Sequence, residues 1–147
     1  MIGLDTTLLV YAHRKDMPQH DAARVVIAQL AAGSAPWGIP WPCIGEFVSL
    51  VTSPKPFGNP STTAQAVDQI DAWQEAPTVR LLGERSGTWG MLRGLLLGSS
   101  VHRAGVHDAR IAAICLDYGV RELWTADRDY SRFPALRTRN PLVVNGT

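Results

Sequence analysis

The 147-residue chain predicts an α/β domain, with a mainly parallel central sheet flanked by helices. Three features lead to that class. Short apolar runs of strand character alternate with helical periodicities along the chain, the pattern of parallel strands joined by crossover helices. One segment, Asp108 to Tyr118, is a helix apolar nearly all round, which belongs in an interior. The length suits a single domain over residues 1–147, whose folding buries about 70% of the surface of the unfolded chain.

Met1 to Leu4 reads as a short buried strand. A helical run through Leu8, Leu9 and Tyr11 begins at Thr6, so Asp5 stands at the hinge. His20 to Ala32 is a helix closed by Gly33, and PWGIPWP after it is a proline-punctuated loop or short edge strand. Cys43 to Thr52 is helical and SPKPFGNP is loop. Ser61 opens a helix with Val67, Ile70 and Trp73 on one face, ahead of the strand-like Val79 to Leu82. Ser86 to Leu97 is read as a helix carrying Gly90, Gly94 and Gly98, a spacing that lets another helix approach closely but is expected to serve local packing. Asp108 opens the core helix, with Ala109, Ala112, Ala113 and Leu116 at helical spacing, and Gly119 ends it. Glu122 to Thr125 is a strand, Asp127 to Pro134 a polar turn, and Leu142 to Val144 a last short strand.

Composition excludes several classes. With 46% hydrophobic and 18% charged residues, disorder is excluded. Cys43 and Cys115 form no CxxC pair, so neither a disulfide framework nor a zinc cluster is expected, and a reducing cytoplasm fits. The start MIGLDTTLLVYAHRKD has no basic leader, and no apolar run approaches the roughly 20 residues of a membrane span. No GxGxxG, GxxxxGK[ST] or GxSxG motif supports a dinucleotide, P-loop or serine-hydrolase reading. Twelve of the 14 basic residues are Arg. Residues 1–75 carry 4 basic and 7 acidic side chains, residues 76–147 carry 10 and 6. A basic, arginine-rich half is compatible with nucleic acid, because guanidinium grips phosphate bidentately; a general preference for Arg over Lys explains it equally well.

Four carboxylates draw the functional reading. Asp5 and Asp127 each follow a strand, and in open α/β sheets ligand sites gather outside the carboxyl ends of strands. Each also has a local explanation, Asp5 as a helix cap and Asp127 and Asp129 as turn residues. Asp108 in the first turn of its helix suits the helix dipole as well as a rigid pocket edge. Glu46 is the only charged residue between Arg24 and Lys55; among Cys43, Ile44, Phe47, Val48, Leu50 and Val51 it needs a cation, a strong donor or solvent. Four such acids together repel unless cations share the site, and oxygen-only ligands suit Mg²⁺ or Mn²⁺. Without them the chain counts 14 basic against 9 acidic residues, a body of about +5 that suits a polyanion.

The segments IGLDTTLLVYA, PCIGEFVSLVT, HDARIAAICLDYGV and LWTADRDYSRFP, in this order and spacing, resemble PIN-domain nucleases, and more narrowly the VapC toxins of bacterial toxin–antitoxin pairs. The resemblance spans nearly the whole chain and implies a three-layer PIN-like fold. It also implies catalytic, metal-binding acids at Asp5, Glu46, Asp108 and Asp127, with Asp129 as an outer or substitute ligand. Residues two apart on an extended segment face the same way, which fits Asp129. Thr7, where the family often has Asn or Ser, and Thr125 are then hydroxyls that orient water. The implied activity is an Mg²⁺- or Mn²⁺-dependent endoribonuclease that leaves 5′-phosphate and 3′-hydroxyl ends. A homodimer and a VapB-type antitoxin that blocks the site with a basic residue complete the picture.

Arg103, Arg110, Arg128 and Arg132 lie nearest the acids in sequence and are the expected RNA phosphate contacts. His107, a lone histidine beside Asp108, reads as structural. Two other classes compete: a non-catalytic RNA- or protein-binding module on the same fold, and a housekeeping RNA-processing nuclease.

Overall fold

The computed structural model describes residues 1–143. In chain order its elements are β1 (Ile2–Leu4), α1 (Thr6–His13), α2 (His20–Ala32), β2 (Trp37–Pro40), α3 (Trp41–Val51), α4 (Thr63–Gln74), β3 (Val79–Leu82), α5 (Thr88–Ser99), α6 (Gly105–Asp117), β4 (Glu122–Trp124), a 3-10 turn (Arg128–Arg132) and β5 (Thr138–Arg139). The strands form one parallel sheet in the order β3-β2-β1-β4-β5. The chain therefore runs outward from β1 to β3, then returns to the other side of β1 for β4. Right-handed crossovers place α1–α4 on one face of the sheet and α5 and α6 on the other, giving three layers. Helix contacts follow that division, α1 with α2 and α3, α3 with α4, and α5 with α6. The direction reverses between β1 and β4, and the crevice at such a switch point is where open α/β sheets bind ligands.

β2 is internal and all four of its residues are buried, which corrects the expectation of a loop or edge strand. Its prolines do not interrupt the ladder. Pro36 precedes the strand, Pro40 ends it, and Pro42 sits in the first turn of α3, where a missing N–H is tolerated. Gly38 is needed for packing, because a Cβ there would lie 2.7 Å from Leu82 Cδ1 on the neighbouring strand.

Several helices sit one register away from expectation. α4 starts at Thr63 behind a reciprocal cap between Thr62 and Gln65, and its inner face is Ala66, Ile70 and Trp73, while Val67 is exposed. On α5 the inner row is Thr88, Leu92, Leu95 and Leu96, which turns Gly90, Gly94 and Gly98 outward with nothing within 4 Å. Local packing therefore does not explain those glycines. α6 begins at Gly105, so Asp108 closes its first turn instead of opening the helix, and Ile111 to Cys115 are buried as expected of a core helix.

The segment expected as a polar turn is anchored in the core. Tyr130, Phe133 and Leu136 are buried at three-residue spacing, the period of a 3-10 turn. β5 lies at Thr138–Arg139 beside β4; Leu142 is in a turn, and Val144 falls outside the described residues. An exposed two-residue edge strand carries no apolar pattern, which is why the apolar LVV run drew the assignment instead.

Candidate active site

Parallel pairing of Leu4 with Trp124 puts the residues that follow them, Asp5 and Thr125, side by side at the switch point. The Asp5 N–H donates to the Trp124 carbonyl at 3.0 Å. Although Asp5 precedes α1, its side chain makes no capping bond. The carboxylate turns into the crevice between β1 and β4, only 3% exposed, and accepts hydrogen bonds from the Thr125 hydroxyl on Oδ2 at 2.7 Å and the Tyr130 hydroxyl on Oδ1 at 3.1 Å. Longer contacts come from Thr7 Oγ1 to Oδ2 at 3.5 Å and Cys43 Sγ to Oδ1 at 3.7 Å. The same two threonines hold the next segment in place: Thr7 accepts the Ala126 N–H at 3.0 Å and Thr125 accepts the Asp127 N–H at 2.9 Å.

Asp127 then caps the 3-10 turn, its Oδ1 accepting the Asp129 N–H at 2.8 Å. That turn, and not an extended segment, brings Asp129 alongside. Asp108 reaches the same point from α6, so that one carboxylate oxygen each of Asp108, Asp127 and Asp129 lies within 4.8 Å of the others. Glu46 occupies the opposite wall. It is exposed on α3 and lines, with Pro42, His107, Asp108 and Arg110, an open cleft of about 580 Å³. The charge isolated in the sequence is thus met by solvent in a cleft and is only partly buried.

The acids sense one another. Burial pushes the Asp5 carboxyl up, opposed by the Thr125 and Tyr130 hydroxyls. Asp108 is pushed up to about 6, by burial first and then by Asp127 and Asp5, with Arg132 pulling the other way. Glu46 is raised by partial burial and then by Asp5, Asp108 and Asp127, with His107 opposing. Crowded carboxylates of this kind are relieved by a cation of high charge density, and an all-oxygen donor set fits Mg²⁺ or Mn²⁺ better than a soft metal.

A PIN domain profile matches residues 2–136. The chain belongs to the PIN-domain family. Its relatives are VapC ribonucleases: it is 32% identical to Ribonuclease VapC43 of Mycobacterium tuberculosis over 97% of this chain and 96% of that one. It is 30% identical to Ribonuclease VapC48 of the same organism, over 93% and 94%. Among solved structures, VapBC2 from Rickettsia felis bound to a fragment of its promoter DNA has the same fold, with a TM-score of 0.66 at 20% identity over 95% of this chain and 98% of that one.

Within this PIN domain the expected arginines divide. Arg132 donates from Nε to the Asp129 carbonyl at 2.9 Å and approaches its carboxylate at 3.7 Å. A Cβ at Gly105 would lie 2.6 Å from Arg132 Nη1, so the glycine leaves room for that guanidinium. Arg110 lines the Glu46 cleft and pairs with Glu84. Arg103, at φ 55° in the turn before α6, and Arg128 are exposed, and among the described residues no hydrogen bond or ion pair links their side chains to the acids. Reasoning from sequence missed Tyr130 and Cys43, both of which touch Asp5. His107, beside Asp108, lines the cleft. The three-residue spacing of Tyr130, Phe133 and Leu136 was the signal for a buried turn.

Proposed function

We propose that this VapC-type PIN domain is a metal-dependent endoribonuclease toxin that hydrolyses RNA phosphodiester bonds by a two-metal mechanism and is inhibited by a cognate VapB-type antitoxin. One observation carries the reading: Asp108, Asp127 and Asp129 converge at a sheet switch point beside Asp5, with Glu46 across the cleft. Asp5, Glu46, Asp108 and Asp127 are the residues to hold the cations, and Asp129, which shares a cluster with Asp108 and Asp127, is the outer or substitute ligand. Divalent cations, when bound, polarise the scissile phosphodiester and lower the pKa of the attacking water. The protein's own contribution is positional. Thr7 and Thr125 lock segment 125–127 against Asp5, and Arg110 and Arg132 stand at the rim for the polyanionic backbone. The expected product ends are 5′-phosphate and 3′-hydroxyl.

A VapB-type partner is supported by the VapBC2 complex among the structural neighbours. An acidic cleft of this kind is complementary to a basic side chain of such an antitoxin. A cytoplasmic homodimer completes the proposal; sedimentation at twice the 16.0 kDa chain mass is the expected result, and a monomer under all conditions would refute it. No helix among the described residues is long and apolar enough to cross a membrane.

The deciding experiment is cleavage of total and transfer RNA by antitoxin-free protein in Mg²⁺, Mn²⁺ and EDTA, beside Asp108→Asn. Cleavage that requires the cation and falls at least about 100-fold in the variant is expected, since the lost group acts on the transition state. Equal behaviour of the two proteins would favour a non-catalytic binding module.

A further inference from the structure

A carboxylate's terminal torsion is broad, so a catalytic aspartate presents a defined edge only if both of its oxygens are held. In Asp5, Oδ2 is held by Thr125 from the end of β4. Apart from Tyr130, Oδ1 has among the side chains of the described residues only the Cys43 thiol, a weak donor at 3.7 Å. Tyr130 closes that gap: its hydroxyl stands 3.1 Å from Oδ1, and its ring is 1% exposed against Phe133, with centroids 6.3 Å apart at 62°. A phenylalanine would fill the same apolar space. The hydroxyl therefore has one evident use, because a buried polar group without a partner is costly and this one donates to Asp5. Tyr130 also lies on the turn that carries Asp129 and is capped by Asp127. The element that sets Asp127 and Asp129 beside Asp108 thus also reaches Asp5.

We propose that Tyr130 is a positioning residue: its buried hydroxyl holds Asp5 Oδ1 and ties the orientation of that carboxylate to the turn bearing Asp127 and Asp129. The inference rests on the reading of these acids as a divalent-cation centre.

The test is Mn²⁺ titration by calorimetry of the full chain, its Asp5→Asn variant and its Tyr130→Phe variant, together with thermal melts and steady-state cleavage. Outer partners of metal ligands typically contribute about 10–100-fold in affinity, so Tyr130→Phe is expected to weaken Mn²⁺ by about 10-fold or more. Its kcat should fall with little change in KM for RNA. A purely structural tyrosine would lower the Tm and leave Mn²⁺ affinity unchanged, and that outcome overturns the proposal while the metal reading stands. Absence of Mn²⁺ binding in the parent protein, or equal binding by Asp5→Asn, overturns both. Should Tyr130→Phe not fold, incorporation of 4-aminophenylalanine and 4-methylphenylalanine at position 130 gives a pair of similar size that differs in the donor. Affinity retained only with the amino group supports the role, and equal affinity in the pair refutes it.

Discussion

Asp108 shows how a single side chain links the site to stability. Its carboxyl is raised from 3.8 to about 6 by burial and by Asp127 and Asp5. Between those values the folded chain keeps a proton that the unfolded chain has lost, so stability falls as pH rises across this window. Below it the penalty is absent, and above about 6 it is complete. Asp5 and Glu46, also raised, act in the same direction. Metal-free protein in EDTA should therefore lose Tm from pH 4 to pH 6.5. Asp108→Asn should flatten that slope and melt about 2–4 °C higher at pH 7.5, the shift that roughly 1 kcal/mol produces in a domain of this size. Mg²⁺ should raise the parent's Tm more than the variant's, because only a ligand that binds the folded form stabilises it. A variant that melts with the parent at every pH would show that the acids do not strain one another. Glu46 was legible as a residue because it stood alone among apolar neighbours. Tyr130 was not, since an aromatic residue in a polar segment carries no sign of what its hydroxyl meets.

At the scale of elements, local periodicity located every helix to within a few residues and failed where an element's neighbours mattered more than its own pattern. β2 is the clearest case: its prolines suggest an edge, yet they fall at its ends and the strand is interior. Gly38 is central to that strand's packing. A methyl group there would meet Leu82 at 2.7 Å, and overpacking of a core costs typically about 1–3 kcal/mol. Gly38→Ala should lower the urea midpoint accordingly with an unchanged m-value, and an unshifted midpoint would show that β3 yields freely. The outward face of α5 failed in the opposite sense. Three glycines at regular spacing looked like a packing device, but helix geometry puts them opposite the leucine row that binds α6.

Across the whole molecule, the charge near neutrality conceals a separation. Five acids crowd the switch point, while Arg residues dominate the basic second half. If Arg110 and Arg132 contact RNA phosphates, binding weakens linearly in log–log salt plots, and loss of one contact to single-stranded RNA reduces the slope by about 0.7. Arg132→Ala measured with Ca²⁺ in place of Mg²⁺ should show that reduction; a parallel line at lower affinity would mean that the guanidinium acts only through Asp129.

The order of residues alone determined the alternation of strands and helices, the buried character of α6 and the four acids worth watching, Asp5, Glu46, Asp108 and Asp127. Periodicity and isolation of charge are properties of neighbours along the chain. Tertiary structure alone decided which acids meet, that α4 and α5 turn the faces they do, and that Asp5 is held from both sides. Those outcomes rest on partners far apart in sequence, 120 residues for Thr125 and Asp5 and 125 for Tyr130 and Asp5. Only the parallel pairing of β1 with β4 sets such distances, because register, not composition, fixes which side chains share a crevice.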